Sequence, residues 1–258
     1  MSQPIEVMVE EFSESPGFIK RLGVLLYGIT GYTVGVAGLL WIILAMGGFA
    51  PAGFGPLETG SVAGALGVNF GLILLFGLQH SVMARPGFKK RLKQVLPEAV
   101  ERSTYVLLSG VFMSLAIWLW QPLPGEVWSV QDQSGQLVLW ILYAMGWSYL
   151  FAATFVTNHF ELMGLRQVYL YFVNTPYTSL PFVRRYMYRY SRHPMMLGVL
   201  VGMWSVPVMS VSHFVMAAAF TLYIAVGVSL EERDLVRNFG EAYRHYKKEI
   251  ATLIPGMF

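Results

Sequence analysis

The sequence predicts an all-α integral membrane protein: four full transmembrane helices, a C-terminal helical hairpin that brings the membrane segments to five or six, and a cytoplasmic amphipathic C-terminal helix. Three observations predict this class: the composition, the length of the apolar stretches and the placement of the basic residues. Apolar residues make up 55% of the 258 residues, charged residues only 13%, and the mean hydropathy is +0.52. Soluble chains are about 25% charged, so too few charges remain here to cover a water-facing surface.

Four apolar stretches are long enough to cross a bilayer. A hydrocarbon core about 30 Å thick requires about 20 helical residues. The stretches cover residues 22–46, 61–83, 104–120 and 137–157. They are rich in Leu, Val, Phe and Trp interrupted by Gly, a composition that favours membrane helices over strands. We therefore expect four full transmembrane helices.

A fifth apolar region, residues 195–230, is too long for one span. Pro207 and the polar residues 210–213 divide it into two short halves. Residues 195–209 would be about 22 Å long as a helix, which is less than the thickness of the hydrocarbon core. We expect a helical hairpin that dips into the bilayer and returns.

The segment after residue 230 has the pattern of an amphipathic helix. Apolar or aromatic residues recur at spacings of 4, 4, 3 and 4, namely Leu235, Phe239, Tyr243, Tyr246 and Ile250. These spacings place them on one helical face, with charged residues opposite. We expect one helix here, lying on the membrane surface or over the cytoplasmic end of the protein.

The basic residues predict the orientation. All 18 Lys and Arg residues fall in the segments 20–21, 85–102, 166–192 and 233–248, whereas the loops 47–60 and 121–136 contain none. The positive-inside rule then places both termini in the cytoplasm, which in a bacterium means the inner membrane. Basic residues that flank membrane helices act as anchors to an anionic lipid bilayer, so the formal charge of +3 does not indicate a nucleic-acid partner.

Polar residues gather at the cytoplasmic ends of the predicted helices. Those nearest the hydrocarbon are Gln79, His80, Asn158, His159, Glu161, Arg166, Arg192, His193, Glu231 and Glu232. Polar groups are costly at this depth, so their clustering predicts a cytoplasm-facing site for a charged ligand, although any one of them could simply close a helix end. The chain has no Cys and no HxxxH or HExxH spacing, so we predict no metal site.

Two motifs near the C-terminus carry a family resemblance. The run 191–198 reads SRHPMMLG, and after the apolar hairpin the run 231–246 reads EERDLVRNFGEAYRHY. Together they resemble the RHPxYxG and EExxLxxxFGxxYxxY motifs of the isoprenylcysteine carboxyl methyltransferase superfamily, with Met196 where the pattern has Tyr. The resemblance implies one membrane methyltransferase domain over residues 1–258, with a cofactor-binding core at 190–250.

Upstream runs extend the resemblance over most of the chain from the second predicted helix. These are QHSVMAR at 79–85 and NHFELMGLRQV at 158–168. They are similar to the branch of that superfamily whose members methylate methanethiol. NnrU-like membrane proteins share part of the second motif, and they leave open a non-enzymatic role in transport or assembly.

The resemblance implies S-adenosyl-L-methionine as cofactor and a small volatile thiol, methanethiol, as substrate. It places around the cofactor His193, Met196, Leu197, Gly198, Glu231, Glu232, Tyr243 and Tyr246. Asn158, Glu161 and Gln79 are expected beside the substrate. The thiol must lose its proton, so we expect His80 or His159 as base and Arg192 or Arg166 as a cation that favours thiolate. An isoprenylcysteine or phospholipid acceptor remains an alternative, and the oligomeric state is left open.

Overall fold

The computed structural model describes residues 16–178, 180 and 185–254. Over these residues the chain forms ten α-helices and two short strands. The helices are α1 (Phe18–Met46), α2 (Val62–Ala84), α3 (Pro86–Val95), α4 (Glu101–Trp118), α5 (Gln133–Val156), α6 (His159–Leu162), α7 (Leu165–Phe172), α8 (Pro194–Trp204), α9 (Val211–Phe239) and α10 (Glu241–Glu249). The strands are β1 (Glu126–Ser129) and β2 (Val208–Ser210), and 3-10 turns cover Glu98–Val100 and Tyr186–Arg189.

The predicted all-α membrane class is confirmed. Within the described residues, five helices are long and apolar enough to cross a bilayer, namely α1, α2, α4 with the 3-10 turn before it, α5 and most of α9. The four predicted spans correspond to α1, α2, α4 and α5. The first fifteen residues and Arg184, which the charge pattern assigns to the cytoplasmic side, lie outside the described residues.

The hairpin is present, but its two arms are unequal. The α8 arm has 11 residues and is about 16 Å long, whereas α9 has 29 residues and is about 43 Å long. The expectation of two short halves was therefore wrong for the second arm. The break between the arms is confined to residues 205–210. Helix α9 begins at Val211, and Ser210 caps it because Ser210 Oγ accepts a hydrogen bond from the backbone N–H of His213.

The amphipathic tail is also divided differently from the prediction. Instead of one helix from residue 235 onward, α9 continues to Phe239 and α10 begins at Glu241. Gly240 joins them with φ +56° and ψ −130°, a conformation that residues with a Cβ rarely adopt. The turn brings Tyr243 and Tyr246 of α10 into one buried cluster with Leu235 of α9.

A two-stranded ribbon, which the sequence did not predict, closes one end of the bundle. β1 pairs antiparallel with β2, so Trp128 lies opposite Met209. Backbone hydrogen bonds extend the contact, from Val130 N to Pro207 O and from Val211 N to Gly125 O. The tip of the α8–α9 hairpin is thereby fixed beside the α4–α5 loop, which contains no Lys or Arg.

Glycines allow two helix pairs to approach closely. A Cβ on Gly38 of α1 would lie 2.7 Å from Gly110 O of α4, and a Cβ on Gly146 of α5 would lie 2.5 Å from Gly202 N of α8. Small residues at such positions let helix backbones pack together in membranes. The largest apolar core draws on six helices, α1, α2, α4, α5, α8 and α9, mainly in the half of the bundle that includes the ribbon.

The opposite half carries the basic residues and most of the predicted site. It consists of the N-terminal ends of α1, α4 and α8, the C-terminal ends of α2, α5 and α9, and the short helices α3, α6, α7 and α10. We call it the basic end.

Candidate functional site

The centre of the basic end is a buried ion cluster built on Arg192 and Glu232, whose side chains are 6% and 9% exposed. Arg192 Nε donates to Glu232 Oε1 at 2.6 Å, and Lys247 Nζ lies 2.8 Å from Glu232 Oε2. The other guanidinium nitrogens donate to the carbonyls of Lys247 and Ile250 and to Thr252 Oγ1. The side-chain donors of Arg192 are therefore occupied by other groups of the protein. We call this set of contacts the Arg192 clamp.

Backbone pairing completes the clamp. Ser191 forms a parallel bridge with Ala251, Arg192 N donates to Ala251 O at 2.9 Å, and His193 N donates to Thr252 O at 3.1 Å. The segment after α10 is therefore laid along the start of α8. This pairing fixes the position of His193 at the entrance to α8.

His193 and the two glutamates form the part of the predicted cofactor site that the structure brings together. His193 Nε2 lies 3.3 Å from Glu232 Oε1, and its Nδ1 lies 3.6 Å from Glu231 Oε2. Glu232 is buried among its cationic partners, whereas the Glu231 side chain is 52% exposed. Of the two carboxylates, Glu231 is the one accessible to a ligand.

The negative charge of Glu231 acts at longer range on tyrosine hydroxyls outside the membrane spans. Burial raises the pKa of Tyr188 to about 12 and also raises that of Tyr243, and the glutamate charges add to both effects. These two phenols therefore stay protonated at neutral pH and can donate hydrogen bonds.

His80 lies between α2 and α4 with both ring nitrogens occupied. Tyr105 Oη is 2.6 Å from His80 Nε2, and Ser109 Oγ is 3.1 Å from His80 Nδ1. Phe76 stacks on the imidazole with ring centroids 5.4 Å apart. The guanidinium carbon of Arg102 lies 5.1 Å from the centroid of the Tyr105 ring. His80 and Tyr105 thus join α2 to α4 at the basic end.

Gln79 and Ser81 flank His80 but differ in their partners. Ser81 Oγ lies 3.2 Å from Tyr223 Oη, which links α2 to α9. Gln79 Nε2 donates to Met83 Sδ within the same helix, and the buried Gln79 Oε1 has no hydrogen-bond partner among the described residues. Gln79, predicted beside the substrate, therefore retains an unused acceptor.

His159 is 5% exposed and is held in a similar way on the other side of the bundle. Tyr32 Oη is 3.1 Å from His159 Nε2, and Thr154 Oγ1 is 2.9 Å from His159 Nδ1. The ring stacks on Phe155 with centroids 4.5 Å apart. Burial lowers the pKa of His159, so this imidazole is neutral at pH 7.

Asn158 adopts a left-handed conformation with φ 76° and caps α6 by accepting a hydrogen bond from Glu161 N. A cavity of about 360 Å³ opens beside it, lined by residues 155–160 and Leu180. Asn158 is therefore placed at a cavity, as expected of a substrate contact, but its side-chain oxygen already serves the helix end.

Glu161 and Arg166 bind each other rather than joining the cluster of His193, Glu231 and Glu232. Arg166 donates to Glu161 Oε2 at 2.8 Å and to Thr178 O at 2.9 Å. Tyr177 donates its hydroxyl to Glu161 Oε1. Burial and the adjacent Glu161 raise the pKa of Tyr177 to about 12. These contacts tie the loop after α7 to α6 and α7.

Gly198, predicted at the cofactor, packs against α5. A Cβ at Gly198 would lie 2.7 Å from Gly146 O and from Leu150 N. This packing fixes the position of α8, and with it His193. Met196 and Leu197, on the same turn of α8, are partly buried.

Sequence reasoning missed several residues of this site. Tyr105, Ser109 and Arg102 come from α4, where the sequence is mainly apolar, while Lys247 and Thr252 lie beyond the recognised motif. A polar residue within an apolar span was the available signal for Tyr105 and Ser109.

The side chains suit a cationic organic ligand. The accessible carboxylate of Glu231 can accept hydrogen bonds from an ammonium or from hydroxyls, and the surrounding phenols offer donors. Among the residues that the structure describes, no group of three His, Asp or Glu side chains is arranged to hold a metal ion.

Comparison with known proteins identifies the family and several relatives of this chain. The model of the family described as NnrU protein matches residues 70–255. A methanethiol S-methyltransferase from Crocosphaera subtropica is 39% identical over 96% of this chain and 98% of its own length.

Two further relatives carry similar names. A methanethiol S-methyltransferase from Mycobacterium tuberculosis is 40% identical over 92% of this chain and 98% of its own length. Methanethiol S-methyltransferase 1 from Bradyrhizobium diazoefficiens is 42% identical over 89% of this chain and 81% of its own length. No solved structure gives a significant match.

Proposed function

This chain belongs to the NnrU family, in the group that contains the methanethiol S-methyltransferases, and on that premise we propose that it methylates methanethiol to dimethyl sulfide with S-adenosyl-L-methionine. The cofactor would supply an electrophilic methyl group on a positively charged sulfonium sulfur. The rest of the proposal concerns what this chain's own residues do for that reaction.

The observation that carries the proposal is the position of Glu231. Its half-exposed carboxylate lies 3.6 Å from His193 Nδ1, which is itself held 3.3 Å from Glu232 Oε1. A carboxylate there suits the ammonium group or the ribose hydroxyls of the cofactor. We assign Glu231, His193 and Tyr243 to cofactor binding, and Glu232 and Tyr246 to holding the pocket together.

The two arginines proposed from the sequence as cations for the thiolate take a different role. Arg192 is occupied by Glu232 and by the segment after α10, and Arg166 is occupied by Glu161 and Thr178. Both are therefore assigned to positioning. Arg102 is instead the cation placed beside His80, because it lies over the ring of Tyr105, the hydroxyl partner of that imidazole.

Of the two histidines, His80 is the better candidate for the group on which the thiol proton ends. It lies beside Tyr223 of α9, with ring centroids 6.4 Å apart, and Glu231 follows Tyr223 by about two turns on that helix. His159 is sealed between Tyr32, Thr154 and Phe155. We assign it to joining the end of α5 to α1.

The membrane setting favours this chemistry. Attack of a thiolate on a sulfonium removes two opposite charges, so an apolar site from which water is excluded favours the transition state over separated, solvated ions. A small thiol is soluble in lipid and can reach the basic end through the bilayer. We propose that this end faces the cytoplasm and that the protein resides in the bacterial inner membrane; the placement of the basic residues supports this orientation.

The test uses the full chain in nanodiscs with methanethiol and S-adenosyl-L-methionine. We expect dimethyl sulfide in the headspace and an equal amount of S-adenosylhomocysteine, and no methylation of a prenylated cysteine or a phospholipid. Cofactor binding without dimethyl sulfide would refute methanethiol as the acceptor. Absence of cofactor binding would refute the methyltransferase proposal and favour a non-enzymatic role.

A matched pair of variants tests the pocket itself. Glu231→Ala should weaken S-adenosylhomocysteine binding by about 1–3 kcal/mol, because a buried ligand group loses its partner. Glu241→Ala is the control, since Glu241 is 85% exposed and pairs with Arg244 on the surface of α10. Equal calorimetric affinity in the two variants would remove Glu231 from the pocket.

A further inference from the structure

Ser109 determines which nitrogen of His80 carries the proton. A serine hydroxyl has a single hydrogen, and Ser109 Oγ donates it to the carbonyl of Tyr105 at 2.8 Å. Towards His80 the Ser109 oxygen can then only accept, so the hydrogen of that 3.1 Å contact comes from His80 Nδ1. The neutral imidazole is therefore the tautomer with Nδ1–H and a free lone pair on Nε2.

The lone pair on His80 Nε2 points at Tyr105, not at open space. Tyr105 Oη is 2.6 Å from this nitrogen, and the Tyr105 hydroxyl must be the donor because Nε2 carries no hydrogen. A thiol therefore has no direct access to His80 Nε2. The other proton acceptor of this pair is the oxygen of Tyr105, which retains lone pairs on the side away from the imidazole.

We propose that Tyr105 is the catalytic residue that removes the thiol proton and that His80 acts through it; this inference rests on the function proposed above. As the thiol sulfur forms its bond to the methyl carbon, its S–H bond breaks and the proton goes to Tyr105 Oη. The hydrogen of Tyr105 moves at the same time to His80 Nε2. The electron pair of the broken methyl–sulfur bond stays on the donor sulfur, and the positive charge ends on the imidazole.

The groups around Tyr105 and His80 hold the pair in place for this role. Arg102 of α4 lies over the Tyr105 ring and donates to Leu162 O at 2.7 Å. Tyr223 of α9 lies beside the imidazole, with ring centroids 6.4 Å apart, and Glu231 follows it by about two turns on the same helix. Ser109 is a positioning residue that keeps His80 in the accepting tautomer.

His159 is held between a hydroxyl side chain and a tyrosine in the same way as His80, and it serves as an internal control. Thr154 Oγ1 donates to Phe151 O at 2.7 Å, so it accepts from His159 Nδ1, and Tyr32 donates to His159 Nε2. The two histidines have the same pattern of hydrogen bonds, but His80 also has Tyr223 of α9 beside it, and Arg102 lies over the ring of its tyrosine partner.

The experiment compares Tyr105→Phe with Tyr32→Phe in nanodiscs. Positioned acid–base groups contribute about 100-fold or more to rate, so kcat/KM for methanethiol should fall by about that factor in Tyr105→Phe and should stay unchanged in Tyr32→Phe. S-adenosylhomocysteine should bind Tyr105→Phe as it binds the wild type. With 2,2,2-trifluoroethanethiol, a more acidic thiol that ionises in solution, Tyr105→Phe should recover most of its rate.

A readout independent of activity tests the tautomer. The ¹⁵N spectrum of histidine-labelled protein should show the His80 signal, assigned with His80→Asn, as the form protonated on Nδ1. In Ser109→Ala the spectrum should show a mixture of the two His80 tautomers, and kcat/KM should also fall.

Each outcome bears on the proposal. Wild-type rates with methanethiol in Tyr105→Phe would overturn it while leaving the methyltransferase function intact. Equal losses with both thiols would show that Tyr105 is only structural and would also overturn it. Absence of dimethyl sulfide from the wild type would refute the proposed function, and with it the relay.

Discussion

At the residue scale, buried histidine makes the stability of this protein depend on pH. Burial lowers the pKa of His159 below its usual 6.5. At a pH between the pKa of His159 in the unfolded chain and its lower pKa in the folded protein, the unfolded chain binds more protons than the folded one. The free energy of unfolding therefore falls as pH falls through this window. Above that window both states are neutral at this residue and its contribution is constant.

We therefore expect the thermal midpoint of the wild type to drop between pH 7.5 and pH 5.5 by more than that of His159→Gln, measured by tryptophan fluorescence in detergent. The variant should be less stable at pH 7.5, because Tyr32 and Thr154 lose their partner, and should approach the wild type as pH falls. Parallel midpoints across this range would contradict the assignment of a neutral, buried His159.

The types of residue in the site could be predicted from the sequence, but their partners could not. His80, His193 and Glu231 stood out because polar groups are rare near the hydrocarbon. The pairing of His80 with Tyr105 depends on how α2 and α4 face each other, which no local pattern encodes. Arg192 was expected to face the substrate, and its actual partners lie about 40 to 60 positions further along the chain.

At the element scale, the glycines between α5 and α8 determine where His193 lies. A Cβ at Gly146 would meet Gly202 N at 2.5 Å and Gly198 O at 2.9 Å, and both are backbone atoms that cannot turn aside. Overpacking of this kind costs about 1–3 kcal/mol. We expect Gly146→Ala to lower the thermal midpoint and to weaken S-adenosylhomocysteine binding, because α8 moves and carries His193 with it.

Gly67→Ala in α2 is the matched control. A Cβ there meets nothing within 4 Å, so the change should leave binding unaffected and should not destabilise the helix, since alanine is favoured over glycine by about 1 kcal/mol. If the two variants had the same midpoint and affinity, the close approach of α5 and α8 would not matter to the site.

The element boundaries show where sequence patterns stop being informative. The apolar spans were predicted to within a few residues because lipid imposes their length and composition. The periodicity of residues 235–250 predicted one helix, since spacing alone does not reveal that Gly240 adopts φ +56°. The β1–β2 ribbon could not be predicted, because its strands are three or four residues long and lie about 80 positions apart.

At the scale of the whole molecule, the segregation of charge predicts the orientation. The ribbon holds the tip of the α8–α9 hairpin beside the loop that has no basic residue, so the hairpin should cross and return. We expect reporter fusions after residues 55, 130 and 207 to read as outside, and those after residues 95, 175 and 258 to read as inside. Paired phosphatase and fluorescent-protein reporters at each position provide the measurement. An outside signal at 258 would contradict the hairpin, and inverted signals throughout would contradict the orientation.

The Arg192 clamp also determines the order in which the protein can become active during its synthesis. Residues 247–252, which hold Arg192 and His193 in place, follow all five long helices of the described part of the chain. The clamp can therefore close only after all five helices have been synthesised. A chain released without residues 247–252 would keep those helices but lack the contacts that hold Arg192 and His193.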